Sequence, residues 1–301
     1  MLLGAEPLGI ATAPVRHRTF VRTADAVIVV DWDPLAVRAT LGVAGGVKDG
    51  IAYDDQYGVA YAASREGTLA LITTPRADMP AVTQTIDLGA APGALAVDGR
   101  SHRVLALSGS AVLVVSGITR RVEATLPLPG PAWGVAVNAA TGRAFVAGDG
   151  AGPRDSAYVR IYDVDSLREV TTIGVSHSTA LALDQEQNIL YLAEPSTPER
   201  YGRITVLDAR LATASTFVSS AVVGMTAIAV DPTHSRIYYG QQNGELRLGG
   251  IRPGYVNPSD FSVSLPLGSP ARVLATVPGT RRLFAGLGSG ELLLLEDRFP
   301  A

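Results

Sequence analysis

The chain has 301 residues, 47% hydrophobic and 18% charged, with 32 glycines and 19 prolines spread along its whole length, a composition of turn-rich β proteins. The net charge is −3 and no basic block occurs, so the chain offers nothing to a run of phosphates, and nucleic acid is not an expected partner. Cysteine is absent, which excludes disulfides, thiolate metal sites and thiol nucleophiles.

The opening Met1–Glu6 has neither the basic start nor the apolar stretch of a signal peptide. Apolar runs such as Ala26–Val30 and Leu292–Leu295 are far shorter than a membrane span. The expectation is a cytoplasmic protein with no membrane partner.

In chain order, the first recurring element is Gly9-Ile-Ala-Thr. It returns as Gly50-Ile-Ala-Tyr-Asp, Ala94-Leu-Ala-Val-Asp, Gly134-Val-Ala-Val-Asn, Ala180-Leu-Ala-Leu-Asp, Ala227-Ile-Ala-Val-Asp and Val273-Leu-Ala-Thr. These align on Ala11, Ala52, Ala96, Ala136, Ala182, Ala229 and Ala275, at separations of 40 to 47 residues, the length of a four-stranded propeller blade. A small residue recurs there because blades converge on their axis and leave room between neighbours for a short side chain only.

Each repeat continues with a polar turn and a second apolar strand, as at Val104–Leu107, Ala144–Ala147 and Ile189–Ala193. A third strand follows at Ala26–Asp31, Tyr158–Asp163 and Arg203–Asp208, and a more polar fourth at Val37–Leu41, Val82–Leu88, Arg121–Leu126 and Ser262–Leu267. Gly or Pro interrupts nearly every helical window, so almost no helix is expected. Repeat seven ends after its third strand, Glu291–Glu296, and the apolar Met1–Leu3 is expected to supply the missing fourth. The predicted fold is therefore all-β: residues 1–301 form a single seven-bladed β-propeller of four-stranded antiparallel blades, closed by its N-terminal strand.

Tyr158-Val-Arg-Ile-Tyr-Asp-Val-Asp-Ser-Leu and Arg203-Ile-Thr-Val-Leu-Asp-Ala-Arg-Leu resemble the YVTN class of bacterial propeller repeats, in which a strand–turn–strand pair precedes a strand ending in Asp. The resemblance covers the whole chain in outline, although the name-giving tetrapeptide is absent and its nearest matches are Leu190-Tyr-Leu-Ala-Glu and Ile237-Tyr-Tyr-Gly. The chain is also similar in size and blade number to lactonase-like enzymes and streptogramin-type lyases, without the Trp-Phe-Thr repeat of the latter. The resemblance implies the fold and carries over no catalytic residue.

Propellers bind at the channel mouth formed by fourth-to-first and second-to-third loops. Of the four histidines, His17, His102 and His234 fall in first-to-second turns on the opposite face and read as solvated turn residues. His177 falls in a mouth loop, where it suits general acid/base work with Asp49 or Glu194 as its orienting carboxylate. Lys48 and Arg272 form a candidate anion clamp, and Trp133 a candidate stacking platform. The two longest second-to-third loops, residues 148–157 and 193–202, belong to neighbouring blades. They add Arg154 and Tyr201 as candidate substrate contacts and form a candidate surface for a protein partner. No nucleotide, hydrolase or calcium-loop motif occurs. No cofactor or metal is expected, a divalent ion held by His177 with Asp49 or Glu194 being the minor alternative.

Two functions fit. One is a small-molecule enzyme of lyase, cyclase or hydrolase type working in the channel mouth. The other is a non-catalytic protein- or ligand-binding scaffold.

Overall fold

The computed structural model describes residues 1–73, 79–150, 157–195, 202–209, 213–218, 224–252, 255–256 and 263–298. Alternating and continuously apolar segments form seven antiparallel sheets in a ring, in chain order. Blade one is Gly9–Ala13, Arg18–Arg22, Ala26–Trp32 and Leu35–Gly42; blade two is Ile51–Asp54, Val59–Ser64, Thr68–Thr73 and Ala81–Asp87. Blade three comprises Leu95–Asp98, Arg103–Ser108, Ala111–Ser116 and Arg121–Pro127, and blade four Ala132–Asn138, Arg143–Asp149, Ala157–Asp163 and Arg168–Val175. Blade five contains Ala180–Asp184, Ile189–Glu194, Arg203–Asp208 and Thr213–Val218. Blade six contains Met225–Asp231, Arg236–Gln241, Glu245–Arg252 and Val263–Pro266, and its third strand also turns back on the two-residue strand Tyr255–Val256. Blade seven has three strands, Ala271–Thr276, Arg282–Leu287 and Leu292–Glu296, closed by the bridge of Leu2 to Glu291. The seven-bladed expectation holds, and helix among the described residues amounts to the 3₁₀ turn Pro14–Arg16.

The core is a set of seams between blades. Each recurring alanine faces the following blade, and the aliphatic residues on either side of it face the preceding one. Ala52 thus packs with Leu95 and Val97 between blades two and three, and Ala96 with Val135 and Val137 between blades three and four. Small on one face and large on the other, the innermost strands interdigitate as the ring narrows. Gly134 marks a close approach of blades four and five: a Cβ there would lie 2.5 Å from Leu181 Cδ2.

The innermost strands of blades two to six end in Asp54, Asp98, Asn138, Asp184 and Asp231, each at most 2% exposed. Their side-chain oxygens accept the amides of the following turn, as in Gln56 N and Tyr57 N to Asp54 Oδ1 at 3.1 and 3.0 Å, and Gln187 N to Asp184 Oδ1 at 2.9 Å. The remaining polar atom seeks a partner nearby. His102, from the next blade, bonds Asp54 Oδ2 through Nδ1 at 2.7 Å; Asn188 accepts from Asn138 Nδ2 at 3.0 Å; His234 bonds Asp231 Oδ2 at 2.7 Å. Of the turn histidines expected to be solvated, His102 and His234 are instead half-buried and serve buried carboxylates, whereas His17 is exposed, with its ring stacked on Trp32 at 5.5 Å.

Asp184 Oδ2 is buried with no partner, and burial pushes its pKa up. Where blade three offers His102 and blade five Asn188, blade six offers the shorter Ser235, in the same left-handed backbone conformation (φ 57°, 58° and 53°). Ser235→Asn is expected to reach the orphan oxygen and stabilise the fold by about 1 kcal/mol. Thermal melts check this, with Ser235→Gly as the control that relieves the backbone without bringing a donor.

Candidate functional site

Three residues before each recurring alanine stands the residue that leads into a first strand: Leu8, Asp49, Gly93, Trp133, Thr179, Thr226 and Arg272. In blades four, six and seven it is the extra residue of a β-bulge. Pairing with the second strand shifts between Ala132 and Gly134, between Met225 and Ala227, and between Ala271 and Val273. A bulge re-aims a single side chain. Trp133, Thr226 and Arg272 accordingly join Lys48 and Asp49 in lining a cavity of about 190 Å³ that all seven blades share. Its floor is apolar, because the residue just before each alanine is aliphatic: Ile10, Ile51, Leu95, Val135, Leu181, Ile228 and Leu274 all line it.

Asp49 is pinned from both sides, its N–H donating to Leu8 O at 2.8 Å and its carbonyl accepting from Leu95 N at 3.0 Å, with φ at 53°. Its half-buried carboxyl makes no hydrogen bond to any described residue. Burial pushes that carboxyl's pKa upward, with Lys48 pulling the other way. The Lys48 ammonium spans the mouth from blade two to blade five, donating to Thr179 O at 3.0 Å. Arg272 pairs with Glu6 at 2.8 Å, both about half exposed. Trp133 Nε1 and Thr226 Oγ1 are buried without a hydrogen-bond partner among the described residues, each at a desolvation cost of about 1–3 kcal/mol. The cavity thus combines a carboxyl inclined to hold its proton, two cations at the rim, and an apolar floor.

Of the residues predicted from sequence, Lys48, Asp49, Trp133 and Arg272 meet in this cavity. His177 is exposed and is not among the residues that line the cavity, and its carboxylate partner is neither Asp49 nor Glu194 but Asp149, with Nδ1 to Oδ1 at 2.8 Å. Glu194 turns into the blade, 7% exposed, and accepts the Thr205 hydroxyl. Arg154 and Tyr201 lie outside the described residues, as do the central parts of loops 148–157 and 193–202. Among the described residues no three metal-ligating side chains cluster, and no helix is long and apolar enough to cross a membrane. Thr226 escaped the sequence reading, although its offset from Ala229 equals that of Asp49 from Ala52.

No known family profile and no curated protein sequence matches the chain. Among solved structures it is similar to hydrazine synthase of Kuenenia stuttgartiensis, with a TM-score of 0.82 and 13% identity over 99% of this chain and 96% of that one. At that identity the likeness shows the seven-bladed propeller fold.

Proposed function

We propose that the protein is a small-molecule enzyme working by acid–base chemistry, of lyase, cyclase or hydrolase type, with its substrate in the channel mouth. The observation that carries this reading is Asp49: a half-buried carboxyl beside the apolar floor, raised in pKa, held rigidly and left without a hydrogen bond. Structural carboxylates in this fold are bonded to turn amides, so one beside Lys48 that bonds no described residue reads as a group kept for a ligand. Asp49 supplies a proton, and Lys48 with Arg272 holds an anionic group. Outside the cavity lining but two residues before Thr179, whose carbonyl Lys48 holds, His177 is oriented by Asp149 with its other nitrogen unbonded to any described residue, which suits it to take a proton from a substrate that reaches it. The cavity volume, below that of a drug-sized site, fits a metabolite of few heavy atoms. That the structurally similar protein is, by its name, an enzyme is in keeping with this reading.

The test is a thermal-shift screen of small carboxylates and phosphates, with hits followed for turnover. A hit whose shift disappears in Lys48→Met, and whose conversion falls by about a hundredfold in His177→Ala with binding retained, is the expected result. Hits indifferent to Lys48→Met would place the ligand elsewhere, and binding without conversion would leave the scaffold reading standing.

A further inference from the structure

The strands of blade one run from the mouth to the opposite face, where the first-to-second turn, 14–17, and the third-to-fourth turn, 33–34, lie side by side. A second cavity of about 290 Å³ opens there, against about 190 Å³ at the mouth. Its polar lining is Arg16, His17, Arg18, Asp31 and Asp33.

Arg18 is 7% exposed, yet its guanidinium is only partly used. Nε donates to Asp31 Oδ1 at 3.0 Å, while neither Nη bonds a described residue or is sealed from solvent. What stays accessible of this buried side chain is the donor edge of a fork that suits an oxyanion. The two carboxylates of the lining do not compete for it. Asp31 also accepts from Arg38 at 3.2 Å, and Asp33 from Arg282 at 3.3 Å. With these partners, four guanidiniums stand against two carboxylates, and the pocket is positive in a chain whose net charge is −3.

His17 adds a second, independent sign. Like His102, Asn188 and Ser235 it stands six residues after the recurring alanine of its blade and holds a left-handed backbone, φ 52°. His102 uses that position to reach Asp54 of the preceding blade, but blade seven carries Val277 at the corresponding place, and the first strand of blade one itself ends in Ala13. The His17 ring accordingly bonds no described residue and is exposed. It is not loose: it stacks on Trp32, whose Nε1 is fixed to Thr19 Oγ1 at 2.7 Å. A ring set rigidly beside an open arginine fork, with no structural bond of its own, is a platform for a flat group.

We propose that this cavity is a second ligand site, separate from the mouth, for a small metabolite that carries a carboxylate or phosphate group. The oxyanion sits on the Arg18 Nη pair, and a flat ring of the ligand lies against His17.

Proton NMR of the His17 and Trp32 side chains tests this, with acetate, inorganic phosphate, benzoate and phenyl phosphate as probes and chloride holding the ionic strength constant. Saturable shifts at both residues are expected, and benzoate and phenyl phosphate bind about threefold or more tighter than acetate and phosphate. The stronger of the two oxyanion series identifies which group the fork takes. Arg18→Lys, which keeps a charge beside Asp31 but loses the fork, weakens every probe by about tenfold. His17→Asn, which suits the left-handed backbone, removes the advantage of the ringed probes. Lys48→Met changes nothing. The proposal is overturned by an absence of saturable shifts with all four probes, by equal shifts at His102 and His234, or by full affinity in Arg18→Lys. Ringed probes no tighter than the plain ions would equally sink it, and a response lost in Lys48→Met would move the ligand to the mouth.

Discussion

Arg22→Met is expected to destabilise the protein by about 3–5 kcal/mol, read as a lowered denaturant midpoint in equilibrium unfolding. Arg22 is wholly buried, and no carboxylate pairs with it among the described residues. Its guanidinium instead gathers carbonyls from three segments. Nη1 donates to Thr23, Ala26 and Val43 at 3.0, 3.1 and 2.6 Å, and Nη2 to Ala44 and Ala63 at 3.1 and 3.0 Å. Burial pulls its pKa down to about 10, which still leaves it charged at neutral pH. Methionine matches the length of the stem but takes the donor from five carbonyls, of which Ala26 O keeps its bonds from Thr23 while those of Thr23, Val43 and Ala63 lie buried, and the seam between blades one and two loses its polar tie. Arg22→Lys, with three donors for those five acceptors, is expected to recover part of the loss. A methionine variant as stable as the parent would show that solvent reaches these carbonyls.

Asp49→Asn is expected to act in the opposite direction on stability while abolishing turnover, with binding at Lys48 and Arg272 retained. The pKa of Asp49 is raised in the folded state, so the fold binds its proton more tightly than the unfolded chain does. Stability therefore falls as pH rises through the window between the ordinary carboxylate value and the raised one. Asparagine removes this cost and suits the left-handed backbone equally well. A gain on the order of 1 kcal/mol at neutral pH is expected, fading below about pH 4, where aspartate is protonated in both states. Thermal melts of the two proteins across pH decide it. A gain that persists in acid would locate its origin in backbone preference, and a loss at neutral pH would mean that the carboxylate is structurally paired.

Much of the architecture is legible in the sequence because a propeller repeats one steric problem seven times. The position of Ala52, Ala96 or Ala136 admits only a short side chain, so the constraint surfaces as a period that survives the drift of everything around it. The mouth residues follow from that period by a fixed offset, which is how Lys48, Asp49, Trp133 and Arg272 could be grouped before any coordinates. What escaped is what depends on contacts that the repeat period does not specify. The Asp149 partner of His177 lies on another strand of the same blade, and no spacing rule selects it over Asp49 or Glu194. Arg22 resembles a surface cation at a strand end, since nothing in one-dimensional order shows five carbonyls converging on it. The turn histidines look exposed for the same reason: Asp54, to which His102 bonds, belongs to the preceding repeat.

The Lys48 bond to Thr179 O has a bearing on selectivity that its geometry already contains. The ammonium is satisfied by a neutral acceptor, the Thr179 carbonyl. A neutral visitor that displaces the carbonyl exchanges like for like, whereas a carboxylate or phosphate offers a stronger, charge-assisted bond and gains from the exchange. Under the function proposed above, the strap across the opening would work as a turnstile that favours anions, imposing its preference at entry, before any contact with the apolar floor is made.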